Sequence, residues 1–207
     1  MKQWGMLLLG CLLSMGQSGF AAPALGGETG TLAVPSADVL RPGNMHLSWS
    51  SIQDGHRTGL AIGISPRLEA GVQRCNLSEE HQGRTEFGMK YQLQPEGIFQ
   101  PGIAAGIEDI GREHCRSFYG VGSKTLPYGV RLHGGIGNGR YAGGFAAVEV
   151  RAFPAKPAGV FPDLTVFAEH ADGHGVYGMR LALSRGWMVE AGVDGSKHFA
   201  GISYNYY

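Results

Sequence analysis

From residue 44 to the carboxyl end, apolar side chains recur at every second position, and no stretch holds a helical period over three turns. A chain spelled this way has strands as its building blocks, because only an extended backbone puts alternate residues on opposite faces. The clearest stretch sets Thr85, Phe87, Met89, Tyr91 and Leu93 on one face and Arg84, Glu86, Gly88, Lys90 and Gln92 on the other. The same period runs through Met45, Leu47 and Trp49, through Leu60, Ile62 and Ile64, and through Leu68, Ala70 and Val72. Later it runs through Val130, Leu132 and Ile136, then Ala146, Val148 and Val150, then Leu164 and Val166. The series ends with Tyr177, Met179, Leu181 and Leu183, with Trp187, Val189, Ala191 and Val193, and with Ala200, Ile202, Tyr204 and Tyr206. Two weaker segments lie near Ile103 to Ile107 and Cys115 to Val121, so the expectation is about twelve strands of roughly 8 to 10 residues each.

An internal repeat sharpens the topology. Gly59 to Val72 matches Gly178 to Val193, each two strands around a tight turn, and looser copies lie at Gly88 to Ile107 and Gly120 to Ile136. A hairpin recurring at roughly 30 residues describes a meander, which must close or bury its edges. The connections alternate in kind. Those at Ser65 to Arg67, Gln94 to Pro101, Ser123 to Tyr128, Phe153 to Pro162 and Ser184 to Gly186 carry proline and glycine and little acid. Those around Asp54, Cys75 to Gly83, Glu108 to His114, Asn138 to Arg140, Glu169 to Gly175 and Asp194 to His198 are polar and charged. In an up-and-down barrel every second connection shares a rim, which assigns the charged set to one end, the outward loops of an outer-membrane barrel.

The amino terminus has the layout of a secretory signal: Lys2, an apolar run from Trp4 to Leu13, then small and polar residues ending in Ala22-Pro23-Ala24. Residues 1–24 are therefore set apart from the fold, residues 25–43 form a periplasmic or plug segment, and residues 44–207 form the barrel. No stretch reaches the roughly 20 apolar residues that a spanning helix needs. Leu8-Leu9-Gly10-Cys11 resembles the box before a lipidated cysteine, so signal cleavage and lipidation at Cys11 both stay open.

With 35 glycines in 207 residues and only 16% charged residues, the chain is too apolar for disorder and too poor in lysine and glutamate for an ordinary solvated surface. The net charge is zero and basic residues do not cluster, so the electrostatic footprint for nucleic acid is missing. Cys75 and Cys115 remain beyond the leader, and in an oxidising compartment they can pair as a disulfide or stay as free thiols.

Alternation alone does not separate a membrane barrel from a soluble sandwich, since both spell their strands alike. The last strand favours the barrel. Gly201 to Tyr207 ends on alternating aromatics, similar to the terminal strand by which outer-membrane barrels are recognised, although Tyr207 falls out of phase. The minor face agrees: it carries Glu69, Glu86, Glu149 and Glu190 against Lys90, Arg131, Arg151 and Arg180, with His133 among them. Acids balanced by bases predict a paired network filling a narrow lumen, because unpaired charges there are costly. The fold expected is all-β, an antiparallel up-and-down transmembrane β-barrel of about twelve strands.

The stretch from Gly27 through Glu28, Val34-Pro35-Ser36-Ala37 and Arg41-Pro42-Gly43, just before the first strand, resembles the opening of the YjbH-like family of outer-membrane proteins associated with exopolysaccharide production. A second block agrees: Gln100-Pro101-Gly102, Ala104-Ala105-Gly106, Glu108-Asp109-Ile110-Gly111 and then Tyr119 to Lys124. The resemblance covers most of residues 27 to 137. It implies an outer-membrane barrel that assists polysaccharide assembly or export, with membrane lipid around it and polysaccharide or export machinery as partners.

No catalytic constellation stands out. Gly120, Gly122, Lys124 and Thr125 faintly resemble a phosphate loop, but the spacing is wrong and no helix succeeds them, so they read as a hairpin turn. His56, His81, His114, His170, His174 and His198 fall in the charged loops near Asp54, Glu79, Glu80, Glu113, Glu169 and Asp172, without the fixed spacing of a metal site. An enzymatic barrel would want a serine or histidine with an acid at the outer rim, and His114 with Ser117 is the nearest pair of that kind. The expectation is a non-enzymatic barrel without cofactor. Two alternatives stay open: an enzymatic barrel acting on envelope lipid, and a soluble periplasmic β-sandwich.

Overall fold

The alternating segments form twelve strands: β1 (Met45–Ile52), β2 (Gly55–Ser65), β3 (Leu68–Leu77), β4 (Arg84–Gln94), β5 (Gly102–Glu108), β6 (Ser117–Thr125), β7 (Val130–Gly137), β8 (Phe145–Arg151), β9 (Asp163–Ala171), β10 (His174–Ala182), β11 (Trp187–Asp194) and β12 (Lys197–Tyr206). The computed structural model describes residues 28–77, 83–155, 160–171 and 173–207, and the segment expected as a leader, with Cys11, lies outside them. Each strand pairs antiparallel with its neighbours in sequence, and β12 returns to β1, from Met45 opposite Tyr206 to Ile52 opposite Phe199. The sheet is thus a closed barrel, which leaves no open edge to template aggregation.

The direction of the side chains decides what this barrel faces. Phe87, Met89, Tyr91 and Leu93 on β4 are all exposed on its outside, as are Leu47 and Trp49 on β1 and Tyr177 and Met179 on β10. A soluble sandwich would turn these residues into its core. Here the large apolar side chains form the outer surface while Glu69, Lys90, His133 and Arg180 are buried within, the arrangement that hydrocarbon around the wall requires. Aromatic residues mark both ends of the band. Trp49, Phe87, Phe118 and Tyr177 lie toward the charged loops, and Phe99, Tyr128, Trp187 and Tyr206 toward the proline-bearing turns. The chain is therefore a transmembrane β-barrel of the outer-membrane type.

Two boundaries differ from the sequence reading. The segment expected to begin at Cys115 starts at Ser117, because the Asp109 carboxylate accepts the amides of Glu113 and His114, both at 2.8 Å, and holds the preceding residues as a loop. Glu169, assigned to an outward loop, lies inside the wall, because β9 runs on to Ala171 and keeps the phase of Phe167.

The interior is filled by the chain's own amino-terminal segment. Glu28, Thr29, Thr31, Leu32, Val34, Ser36, Ala37 and Leu40 are all buried within the barrel. Leu32 packs with Phe167, Val176 and Phe199, with Ile52 beside them, while Val34 and Ala37 join Ala104, Tyr119, Val121, Tyr141, Phe145, Ala147 and Ala171. The wall makes room for this segment with glycine. A Cβ at Gly63 would lie 2.1 Å from the Arg41 carbonyl oxygen, closer than packing tolerates, and one at Gly88 would lie 2.2 Å from Glu28 Oε1, so the carboxylate would have to move.

Candidate functional site in the barrel lumen

Residues 29–36 form a small hairpin inside the lumen. The Thr31 amide donates to the Val34 carbonyl at 2.9 Å, the Ser36 amide donates to the Thr29 carbonyl at 3.1 Å, and Gly30 bridges Pro35. The barrel receives the tip on Glu169. Its carboxylate accepts the backbone N–H groups of Leu32 at 3.3 Å, Ala33 at 3.0 Å and Val34 at 3.0 Å, and the Thr31 hydroxyl donates to it as well. From the adjacent strand β10 the Arg180 guanidinium donates to the Thr31 carbonyl at 3.1 Å. Buried backbone groups need such partners, and a barrel wall supplies them from inward side chains.

The base of the hairpin sits on Glu69 and Lys90, which face each other across β3 and β4. Glu69 accepts the amides of Thr29 at 2.7 Å and Leu40 at 2.8 Å, while Lys90 Nζ donates to the Thr29 carbonyl at 2.7 Å. The two charges lie 3.3 Å apart with no exposure of either side chain. Near the proline-bearing rim the Ala37 amide donates to Ser123 Oγ at 2.8 Å, Gln92 Nε2 donates to the Ala37 carbonyl at 2.8 Å, and Arg131 Nη2 pairs with Asp38 at 2.9 Å.

Glu28 has a different setting. Its Oε2 accepts the Tyr119 hydroxyl at 2.5 Å, while its Oε1 is buried without a hydrogen-bond partner. Nearby, Tyr141 OH and Arg140 Nη1 donate to Glu108 at 2.6 and 2.9 Å. Burial, with the charges of Glu108 and Glu69 adding to it and that of Lys90 opposing it, pushes the Glu28 carboxyl up to about 8.

The inward charges expected from the sequence are partly brought together. Glu69 meets Lys90, Arg180 meets Glu149 at 3.3 Å and Glu190 at 3.4 Å, and His133 Nε2 stands 4.0 Å from Glu149. Glu86 instead takes Gln73 Nε2 at 2.6 Å, Arg131 reaches Asp38 and Glu96, and Arg151 pairs with Asp163 at 2.8 Å. Cys75 and Cys115 are free thiols, the first buried and the second exposed. Lys124, from the sequence resembling a phosphate loop, holds the β4–β5 turn by donating to the carbonyls of Gly97 at 2.7 Å and Ile98 at 2.8 Å. Ser117 donates to the Cys115 carbonyl and accepts the Arg140 amide, while His114 gives its backbone N–H to Asp109. Among the described residues no group of three or more histidines, cysteines or acids gathers as a metal site, and His81, Glu79, Glu80 and Asp172 lie outside those residues.

Glu28, Asp38, Gln92, Glu108, Tyr119, Ser123 and Glu169 are not marked in the sequence, because a lumen group that receives a backbone is spelled the same as one that pairs with another charge. One signal was present. Leu32 to Val34 is a short apolar run between Glu28 and Asp38 that is out of register with the strand period starting at residue 44.

Residues 25–156, spanning the hairpin and β1 through β8, match the family described as exopolysaccharide biosynthesis protein YbjH. The chain belongs to this family. The YjbH match includes the receptors Glu69, Lys90, Tyr119 and Ser123, while Glu169 and Arg180 lie beyond it. Among solved structures, a KdgM porin shares the fold with a TM-score of 0.56 at 12% identity, covering 79% of this chain and 98% of that one. A KdgM porin in complex with disordered oligogalacturonate gives 0.53 at 13% identity with the same coverage. At such identity the likeness is one of fold. No curated protein matches the chain.

Proposed function

We propose that this YjbH-family chain resides in the outer membrane as a non-enzymatic barrel and serves exopolysaccharide assembly or export as an accessory, docking beside a separate conduit. The observation that carries this reading is the occupied lumen. Leu32, Val34 and Thr31 are at most 1% exposed at its centre, so a polymer has no path through the resting barrel. The family supplies the link to polysaccharide, and a porin of the same fold solved with oligogalacturonate is a precedent for such a wall meeting a sugar oligomer. The outward rim offers His56, Asn76, His174 and His198 at strand ends and Asn138 between β7 and β8, groups suited to hydrogen-bonding sugar hydroxyls. The leader at residues 1–24 supports export through the inner membrane.

Deleting the gene tests the reading. Surface polysaccharide should fall or change in composition while permeability to small solutes stays the same. Unchanged polysaccharide with altered lipid A or phospholipid would point to an enzyme acting on envelope lipid instead.

A further inference from the structure

The hairpin is held in the lumen by side-chain contacts, polar ones to its backbone and apolar ones around Leu32 and Val34, and not by strand pairing. Among the described residues it forms no ladder with any barrel strand, and its one bridge is internal, between Gly30 and Pro35. It rests on side chains: Glu169 at the tip, Arg180 beside it, Glu69 and Lys90 at the base, Ser123 and Gln92 below. If the hairpin withdrew, these polar groups would line the opening together with Phe145, Phe167, Val176 and Phe199. A barrel of this strand number lies between those filled by their own side chains and those that hold a water channel, so whether it is closed depends on the hairpin.

Glu28 accepts one hydrogen bond, from Tyr119, and among the described residues its carboxylate makes no ion pair. The groups facing it are Glu69 from β3, Lys90 from β4, Glu108 from β5 and Tyr119 from β6. Lys90 is committed to Glu69 at 3.3 Å, and Arg140 is committed to Glu108 at 2.9 Å. Among the described residues no cation pairs with Glu28, and its Oε1 is buried and unpartnered. A carboxyl in this position is far easier to bury as the neutral acid than as the anion.

We infer that seating of the amino-terminal hairpin is coupled to protonation of Glu28, so that the segment is a plug released as pH rises. The sign comes from linkage. The carboxyl titrates at about 8 when seated against an ordinary value of 4.5, so seating takes up a proton. The plug is held fully below about pH 4.5, loosens by up to tenfold per pH unit through the interval, and gains no further release above about pH 8. This inference goes beyond the accessory role and does not depend on it, since no polysaccharide enters the readout.

The test is single-channel conductance of the full-length protein in planar bilayers from pH 5 to 9. Wild type should be quiet at pH 5 and open with rising frequency toward pH 9. Glu28→Gln, which keeps the shape without the charge, should stay quiet throughout. A third variant joins the plug to the wall: a Cβ at Gly102 would stand 3.3 Å from that of Ala37, close to the roughly 3.5–4.5 Å between the Cβ atoms of a disulfide. Ala37→Cys with Gly102→Cys, in a background with Cys75→Ser and Cys115→Ser, should be silent at pH 9 until reduced. Wild type equally quiet at pH 5 and pH 9 would overturn the inference. So would Glu28→Gln openings that track the wild-type pH profile, or alkaline openings that persist in the oxidised cross-linked barrel. The cross-linked pair keeps the test decisive if Glu28→Gln does not insert.

Discussion

Glu169→Ala is the sharpest perturbation of the seated hairpin. The carboxylate accepts N–H groups from Leu32, Ala33 and Val34, and Leu32 and Val34 are at most 1% exposed. A hydrogen bond to an ionised partner contributes about 1.5–3 kcal/mol, and a buried donor left unmatched costs a similar amount. Two fully buried amides therefore put the loss at roughly 3–6 kcal/mol. Glu169→Gln should lose less, about 1–2 kcal/mol, since one oxygen, Oε2, receives Leu32, Ala33, Val34 and Thr31 and an amide oxygen can take its place. Amide hydrogen exchange of the folded protein in detergent reads this directly. Protection at residues 32–34 should fall by roughly a hundredfold or more in Glu169→Ala, at about 1.4 kcal/mol per tenfold, while protection within the strands is kept. Protection within a few-fold of wild type, or equal losses in the alanine and glutamine variants, would refute the idea that this carboxylate receives the tip.

The same geometry makes three further changes measurable. Leu181→Arg, on the outer face of β10, should cost about 2–4 kcal/mol in urea titration from lipid vesicles, and a neutral effect would mean that this face does not meet lipid. Lys90→Met leaves Glu69 buried without its ammonium and should cost roughly 3–5 kcal/mol, with hairpin exchange rising alongside; unchanged stability would show that Glu69 does not need its partner. Cys115 is exposed and Cys75 buried, so a maleimide should label the first in the folded barrel and the second only after unfolding, and an unreduced mass showing a bridge would contradict free thiols.

Much of the barrel is legible in the sequence because lipid imposes a strict code. Every strand must present an apolar row, so Tyr177, Met179, Leu181 and Leu183 announce both a strand and its outer face, and charge alternating with proline and glycine announces which rim each loop occupies. Strand ends are less legible where side chains set them, as Asp109 does by binding two amides of its own loop. The lumen is legible only by parity. Parity identifies Glu69, Lys90 and Arg180 as inward, but not what they hold, since a carboxylate receiving backbone amides is spelled the same as one receiving an arginine. Glu169 shows the limit: beside His170 and Asp172 it reads as one more loop acid, and only the continuation of β9 to Ala171 turns it into the wall. The hairpin is the least legible part, because a short irregular segment has no period, and the glycines that admit its flanks, Gly63 beside Arg41 and Gly88 beside Glu28, do not mark it in the sequence.

A lipid-facing wall surrounds an interior closed by the segment from Glu28 to Leu40. Spin labels placed singly along residues 176–183 and at residue 33, in protein reconstituted into vesicles near pH 6, test both halves at once. Labels at 177, 179, 181 and 183 should be accessible to oxygen dissolved in the bilayer, while labels at 178, 180 and 182 should not, and the label at 33 should be immobile and shielded from water-soluble nickel. The reverse alternation along β10, or a mobile, nickel-accessible label at residue 33, would contradict the account.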